Sequence, residues 1–194
     1  MSQIEFNREI QRLFDKAVNE TYFSSNDVEV VVTDSKSSAH QEFEEFFVLT
    51  VSSQEFRVIT TIHLTCDDAS MDYVAQKTSA TGDIITKERF YDYIGELGNT
   101  LCGSLKRSLN VFVPSLGMST PNRLERDCMQ YMMLQEPNYE SFTHIEVNGQ
   151  KLFECGVYIC ADTELNIDIK TSANTGSDNA GELEEIDSGD LEFF

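Results

Sequence analysis

Phe90, Ile94, Leu97, Leu101 and Leu105 recur at intervals of three and four residues, so the spacing predicts one long amphipathic helix over 87–109. A continuous apolar seam of that length has to be buried against a second layer. The remaining pattern says what the layer is. Phe46–Ser52 and Phe56–Thr65 are strand-like and joined by the short Ser53-Gln54-Glu55, which predicts a hairpin. Asn148-Gly149 sits between Phe142–Val147 and Gln150–Cys160, a strong signal for a second hairpin. Helices and hairpins together predict an α/β chain of the α+β kind, a mostly antiparallel sheet packed by helices.

Other elements follow from the same patterns. Phe6, Ile10, Leu13, Phe14, Ala17 and Val18 predict an N-terminal helix, and the β-branched run 28–33 a strand followed by a polar loop over 34–39. Asp67-Asp68 predicts the cap of a short helix reaching Lys77, with a loop over 78–83. Thr120-Pro121 reads as an N-cap and first helical residue, predicting a helix over 122–134 whose Met129, Met132 and Met133 pack inward. A last short strand is expected over 165–170. Within 56–65, Phe56, Val58, Ile62 and Leu64 share one face, and Arg57, Thr61, His63 and Thr65 share the other. That alternation predicts one core face and one wetter face, with His63 at the surface.

One domain is expected over 1–170. From Thr171 to Phe194 the chain carries seven acids and no base, and the stretch to 190 has few apolar residues, which predicts a disordered acidic tail. With 14 Lys and Arg against 34 Asp and Glu, and a net charge of -20, nucleic acid is excluded as a partner, because phosphate contacts need clustered cations. The acidity serves solubility or attraction to a basic partner. No segment has the apolar length of a membrane span, and Met1-Ser2-Gln3-Ile4-Glu5 is not a basic start before an apolar run, so a cytoplasmic location is expected. The five cysteines include no CxxC. Cys155 and Cys160 are an odd number of residues apart in a strand and should face opposite ways, so reduced thiols are expected rather than a disulfide framework or a zinc site.

Phosphate-binding loops, nucleophile elbows and metalloprotease helices are absent, and three scattered histidines form no cluster. Chemistry then falls to the long helix, whose centre reads Tyr93-Ile94-Gly95-Glu96-Leu97-Gly98-Asn99-Thr100-Leu101-Cys102-Gly103. Each interior glycine costs about 1 kcal/mol relative to alanine and needs a reason, either close packing or close approach of a partner. At about 100° per residue, with Glu96 at zero, Asn99 falls at about 300°, Asp92 at about 320° and Gly103 at about 340°. The apolar seam lies between about 100° and 180°. A carboxylate and a carboxamide, i and i+3, therefore share a face turned from the core. Glu-x-x-Asn occurs once in the chain, and by itself any solvated helix face carries such a pair.

Ile94-Gly95-Glu96-Leu97-Gly98-Asn99, followed by Gly103 and Leu105, closely resembles the signature helix of the CheX/CheC/FliY chemotaxis phosphatases. Ser119-Thr120-Pro121 stands where that family commonly has a proline-containing segment, and the order of elements over 1–170 is similar to the CheX plan. The single Glu-x-x-Asn resembles CheX, whereas CheC proteins usually carry two. Departures are Ser53-Gln54-Glu55 in place of a glycine-bearing turn, the 122–134 insert and the tail. The resemblance implies a cytoplasmic protein phosphatase, a hydrolase acting on the aspartyl phosphate of a CheY-like response regulator. Asn99 would orient the attacking water, Glu96 would meet the receiver's lysine, and Asp92, Gly95 and Gly103 would belong to the partner surface. It implies no cofactor or metal of the chain's own, Mg²⁺ being carried by the partner receiver, and a homodimer joined through sheet edges. The alternative it leaves open is a non-enzymatic adaptor of the same fold that binds receivers or flagellar switch proteins. Glu184-Glu185-Ile186-Asp187 also resembles the acidic peptide by which flagellar switch proteins dock CheY.

Overall fold

The computed structural model describes residues 3–22, 30–35, 40–78, 85–113 and 115–161. The readings for the loop residues 36–39 and 79–83, the strand at 165–170, the domain boundary at 170 and the acidic tail lie outside the described residues. The N-terminal helix α1 spans Gln3–Tyr22. Strand β1, Val30–Ser35, precedes the hairpin of β2, Glu45–Ser52, and β3, Phe56–Leu64. Helix α2, Asp68–Lys77, begins on Asp67, whose carboxylate accepts the backbone N–H of Ser70 at 2.9 Å. Helix α3 is Lys87–Leu109, the span that its apolar seam predicts.

Strands β4, Gly117–Met118, and β5, Asn122–Glu125, come next, followed by a 3₁₀ turn at Arg126–Cys128 and the short helix α4, Met129–Met133. The expected helix over 122–134 is thus corrected. Its first four residues pair antiparallel with Glu45–Val48 of β2, which would otherwise leave the backbone of that edge unpaired. Strands β6, Tyr139–Val147, and β7, Gln150–Ala161, form the second hairpin, with Asn148 and Gly149 both at positive φ, 51° and 77°. A two-residue turn with both central residues left-handed matches the twist of the strands it joins.

Every strand pair is antiparallel, and the order across the sheet is β1-β6-β7-β3-β2-β4, with β5 also on the outer edge of β2. Helices α1, α2 and α3 cover one face. Phe14, Val18, Leu97 and Leu101 meet Leu49, Ile62, Phe153 and Val157 there in the main core.

The other face is not wet. Met129 of α4 is buried in a second cluster with Phe46, Ile59, Phe142 and Tyr158. Met132 packs against that cluster, while Met133 stays about half exposed, 48%. His63 is correspondingly 1% exposed and stacks on Phe46 with ring centroids 5.3 Å apart, which corrects its expected surface position. It stands in a row running His144, Glu154, His63, Phe46 across β6, β7, β3 and β2. Glu154 is fully buried and pairs with His144 Nε2 at 2.8 Å, the kind of partner that a buried carboxylate requires. Cys155 lies in the main core and Cys160 packs on the second cluster, on opposite faces as their spacing predicts. The five cysteines are free thiols.

Candidate functional site

Helix α3 starts on Thr86, whose hydroxyl accepts the N–H of Arg89 at 3.4 Å, and ends with Lys106 and Arg107 in the last turn, a charge order that suits the helix dipole. Two of its three glycines face β2. A Cβ on Gly95 would lie 3.6 Å from Phe47 Cε1, and one on Gly98 would lie 2.8 Å from Leu49 Cδ1. The Gly95 distance is one that a methyl group tolerates, whereas the Gly98 distance is not, so helix and strand approach closely because Gly98 carries no side chain. Gly95 is buried, with Phe47 of β2 on its inner side. On the opposite flank, Ser104 Oγ donates to Glu20 Oε2 of α1 at 2.8 Å and holds that carboxyl below its usual range.

With the helix packed on β2 on one side and bonded to α1 on another, its outward face carries the candidate pair. Glu96 and Asp92 are exposed, and Asn99 and Gly103 are half-buried. Among the described residues neither the Glu96 carboxylate nor the Asn99 carboxamide has a hydrogen-bond partner, so donor and acceptor groups of both are available to an incoming molecule. Asn99 is half-buried between glycines on its ridge. The i+4 row through it reads Tyr91, Gly95, Asn99, Gly103, Arg107, with a glycine on each side.

Cysteine chemistry is not on offer at this face. Cys102 is fully buried beneath it, and burial pushes its thiol up to about 11, away from the thiolate that a nucleophile needs. Among the described residues no group of three or more His, Cys, Asp and Glu is placed to hold a metal ion. No helix of the described residues is long and apolar enough to cross a membrane.

One neighbour of the site carried no signal in the sequence. Arg123 of β5 stands opposite Phe47 of β2, on the helix side of the sheet, and its guanidinium lies 3.9 Å from the ring centroid of Tyr91. Burial, followed by the nearby Glu45 carboxyl, pushes the Tyr91 phenol up, so the ring beneath the cation stays neutral. Tyr91 at i-8 from Asn99 was legible as a helix position, but its cover depended on β5, which the sequence pattern reads as helix.

No protein-family model matches the chain, and no curated protein matches its sequence. Solved structures do match its fold. The CheX–CheY–BeF3–Mg complex structure from Borrelia burgdorferi aligns with a TM-score of 0.57 at 12% identity, over 77% of this chain and 94% of that one. A chemotactic CheC-like protein from Shewanella oneidensis gives 0.58 at 10% identity, over 76% and 95%. The chemotaxis protein CheX from Vibrio vulnificus gives 0.54 at 13% identity, over 78% and 98%. The chain therefore has the CheC/CheX-like α+β fold, an antiparallel sheet packed by helices.

Proposed function

We propose that this chain is a phosphatase for the aspartyl phosphate of a CheY-like receiver, working in the cytoplasm, with Glu96 and Asn99 as the working pair. The observation that carries the reading is the side-by-side presentation of these two side chains, unpaired among the described residues, on the outward face of a helix held to β2 at Gly98. The fold supports it, since one similar structure is a complex of CheX with CheY, BeF3 and Mg.

The chemistry asks little of such a chain. In hydrolysis a water oxygen bonds to phosphorus, the bond from phosphorus to the receiver's aspartyl oxygen breaks, and aspartate and inorganic phosphate are released with the water's proton passing to solvent. Charge on the phosphoryl group is met by the receiver's own Mg²⁺ and lysine, so positioning is what remains to be supplied. The Asn99 carboxamide offers an acceptor oxygen to hold the water in line and a donor N–H₂ toward the phosphoryl oxygens. Glu96, one turn earlier, reaches the receiver's lysine through a charge-assisted contact that sets the docking register. Asp92 and Gly103 lie on the same face, the first adding negative charge and the second leaving a gap lined by the Arg107 side chain.

A time course of dephosphorylation of a phosphorylated CheY-type receiver, with and without the chain, tests the reading. A shortened lifetime supports it. Binding without a change in lifetime would make the chain an adaptor, and no binding would leave a fold without this function. Glu96→Ala is expected to weaken binding to the receiver about tenfold, the loss of one charged contact at an interface, measured by titration calorimetry. Unaltered affinity would remove Glu96 from docking.

A homodimer joined through sheet edges belongs to the same proposal. Of the two ends of the sheet, β1 offers six residues and β4 and β5 only two and four, so β1 is the better template for a second copy. Sedimentation equilibrium is expected to give twice the chain mass of 22.0 kDa, and a single-chain mass at tens of micromolar would refute the dimer.

A further inference from the structure

The candidate pair sits between two arginines that none of its chemistry uses. The glycine gap after Asn99 is covered from the C-terminal side. Arg107 folds back along its ridge so that Nη1 lies 3.7 Å from where a Cβ of Gly103 would stand. Long helical side chains lean toward the N-terminus, which brings this guanidinium within about one turn, roughly 5 Å, of Asn99. On the N-terminal side, Arg123 reaches in from β5 and is held over Tyr91, eight residues or about 12 Å before Asn99 along the axis. Both arginines are exposed and neither lies within ion-pair distance of an acid among the described residues, although Arg107 is near enough to Glu20 of α1 to help lower that carboxyl's pKa, whereas Arg12 and Arg126 are each ion-paired. Stacking fixes the Arg123 fork without using its N–H donors, so those donors stay free for an anion.

The chain as a whole carries a charge of -20. A target of the same sign is repelled everywhere except where cations are concentrated. A receiver that holds Mg²⁺ beside an aspartyl phosphate must supply carboxylates around the metal, so its approaching rim is acidic.

Resting on the phosphatase reading, we propose that Arg107 and Arg123 form a cationic bracket around Asn99 that docks the carboxylate-rich rim of the phosphorylated receiver. The bracket extends the partner surface from α3 onto the sheet edge, where the exposed Met118 of β4, paired with Val51, adds an apolar contact. It sets orientation: the arginines at the two ends of the ridge fix which way the receiver lies along the helix, and Glu96 then meets one lysine only.

The experiment measures association of a CheY-type receiver, activated with BeF3⁻ and Mg²⁺, by stopped-flow fluorescence across a series of salt concentrations. Arg107→Gln and Arg123→Gln are each expected to weaken affinity about three- to tenfold, mostly through slower association, and to flatten the salt dependence. Arg123→Glu should weaken it further. Arg12→Gln, which removes the same charge from an arginine already committed to Glu9 on α1, serves as the control and should stay within about twofold of the unaltered chain. If the parent chain binds and accelerates hydrolysis while the bracket variants behave like Arg12→Gln, the bracket is wrong and the phosphatase reading stands. If the parent chain neither binds nor accelerates, both fall together.

Discussion

Asn99→Ala is expected to return the phosphorylated lifetime of a CheY-type receiver nearly to its value without the chain, a loss of about 10²–10³-fold in the acceleration, the scale set by removing one positioned polar group from a reacting centre. Affinity for the BeF3⁻-activated receiver should change far less, because Glu96 and the arginines on either side remain. The two measurements separate a group that acts on the water from one that merely holds the partner. The substitution should leave folding alone: Asn99 is half-buried, bonds no described residue, and alanine is the better helix former. Circular dichroism and a melting curve check that. An alanine variant that still shortens the lifetime like the parent would take Asn99 out of the reaction, and with it the reason for reading α3 as an active surface.

The second large effect is expected at Gly98, where function depends on packing rather than on chemistry. Its missing side chain is what lets α3 lie on β2, since even a Cβ would meet Leu49 Cδ1 at 2.8 Å. Leu49 is 1% exposed in the main core, so its side-chain end can shift a little for one methyl group but has little room for more. Alanine sets a gain of about 1 kcal/mol in helix propensity against that contact and should come out near neutral. Valine adds two further methyl groups at the same spot. It is expected to cost about 1–3 kcal/mol through overpacking and to lower the melting temperature by roughly 3–10 °C. It should also lift the helix from the strand and reduce phosphatase activity without touching Glu96 or Asn99. A Gly98→Val protein with unaltered melting temperature and activity would show that the close approach of α3 and β2 is not needed.

The sequence made the local elements legible where spacing and capping agreed. Helix α3 was readable because its apolar seam runs unbroken from Phe90 to Leu105, and the structure adds the Thr86 cap that starts it. The β6–β7 hairpin was readable because Asn148-Gly149 admits the left-handed pair of residues that its turn needs. The outward position of Glu96 and Asn99 followed from helical geometry alone. What failed had a common physical origin. Thr61 and His63 alternate with apolar residues and so imitate a solvated strand face, yet both are buried. Only the chain folding back through Met129 onto Phe46, Ile59, Phe142 and Tyr158 makes that face interior, a contact between segments far apart in sequence. The same segment deceived at its start. Thr120-Pro121 is compatible with a helix opening, but the demand of Glu45–Val48 for a backbone partner decides in favour of a strand. For the glycines, composition told that close approach was involved but not by what. Gly95 and Gly98 face the sheet, and Gly103 alone faces outward.

Helix α3 lies over β2, and among the described residues only the short strands β4 and β5 stand between β2 and the end of the sheet. A visitor settling on the outer surface of that helix therefore overhangs the rim beside it. A second copy attached at this rim would shut the visitor out, whereas one attached at β1, four strands away across β6, β7 and β3, would leave both seats of a symmetric pair open at once. The place where two subunits join thus decides between mutual obstruction and double occupancy.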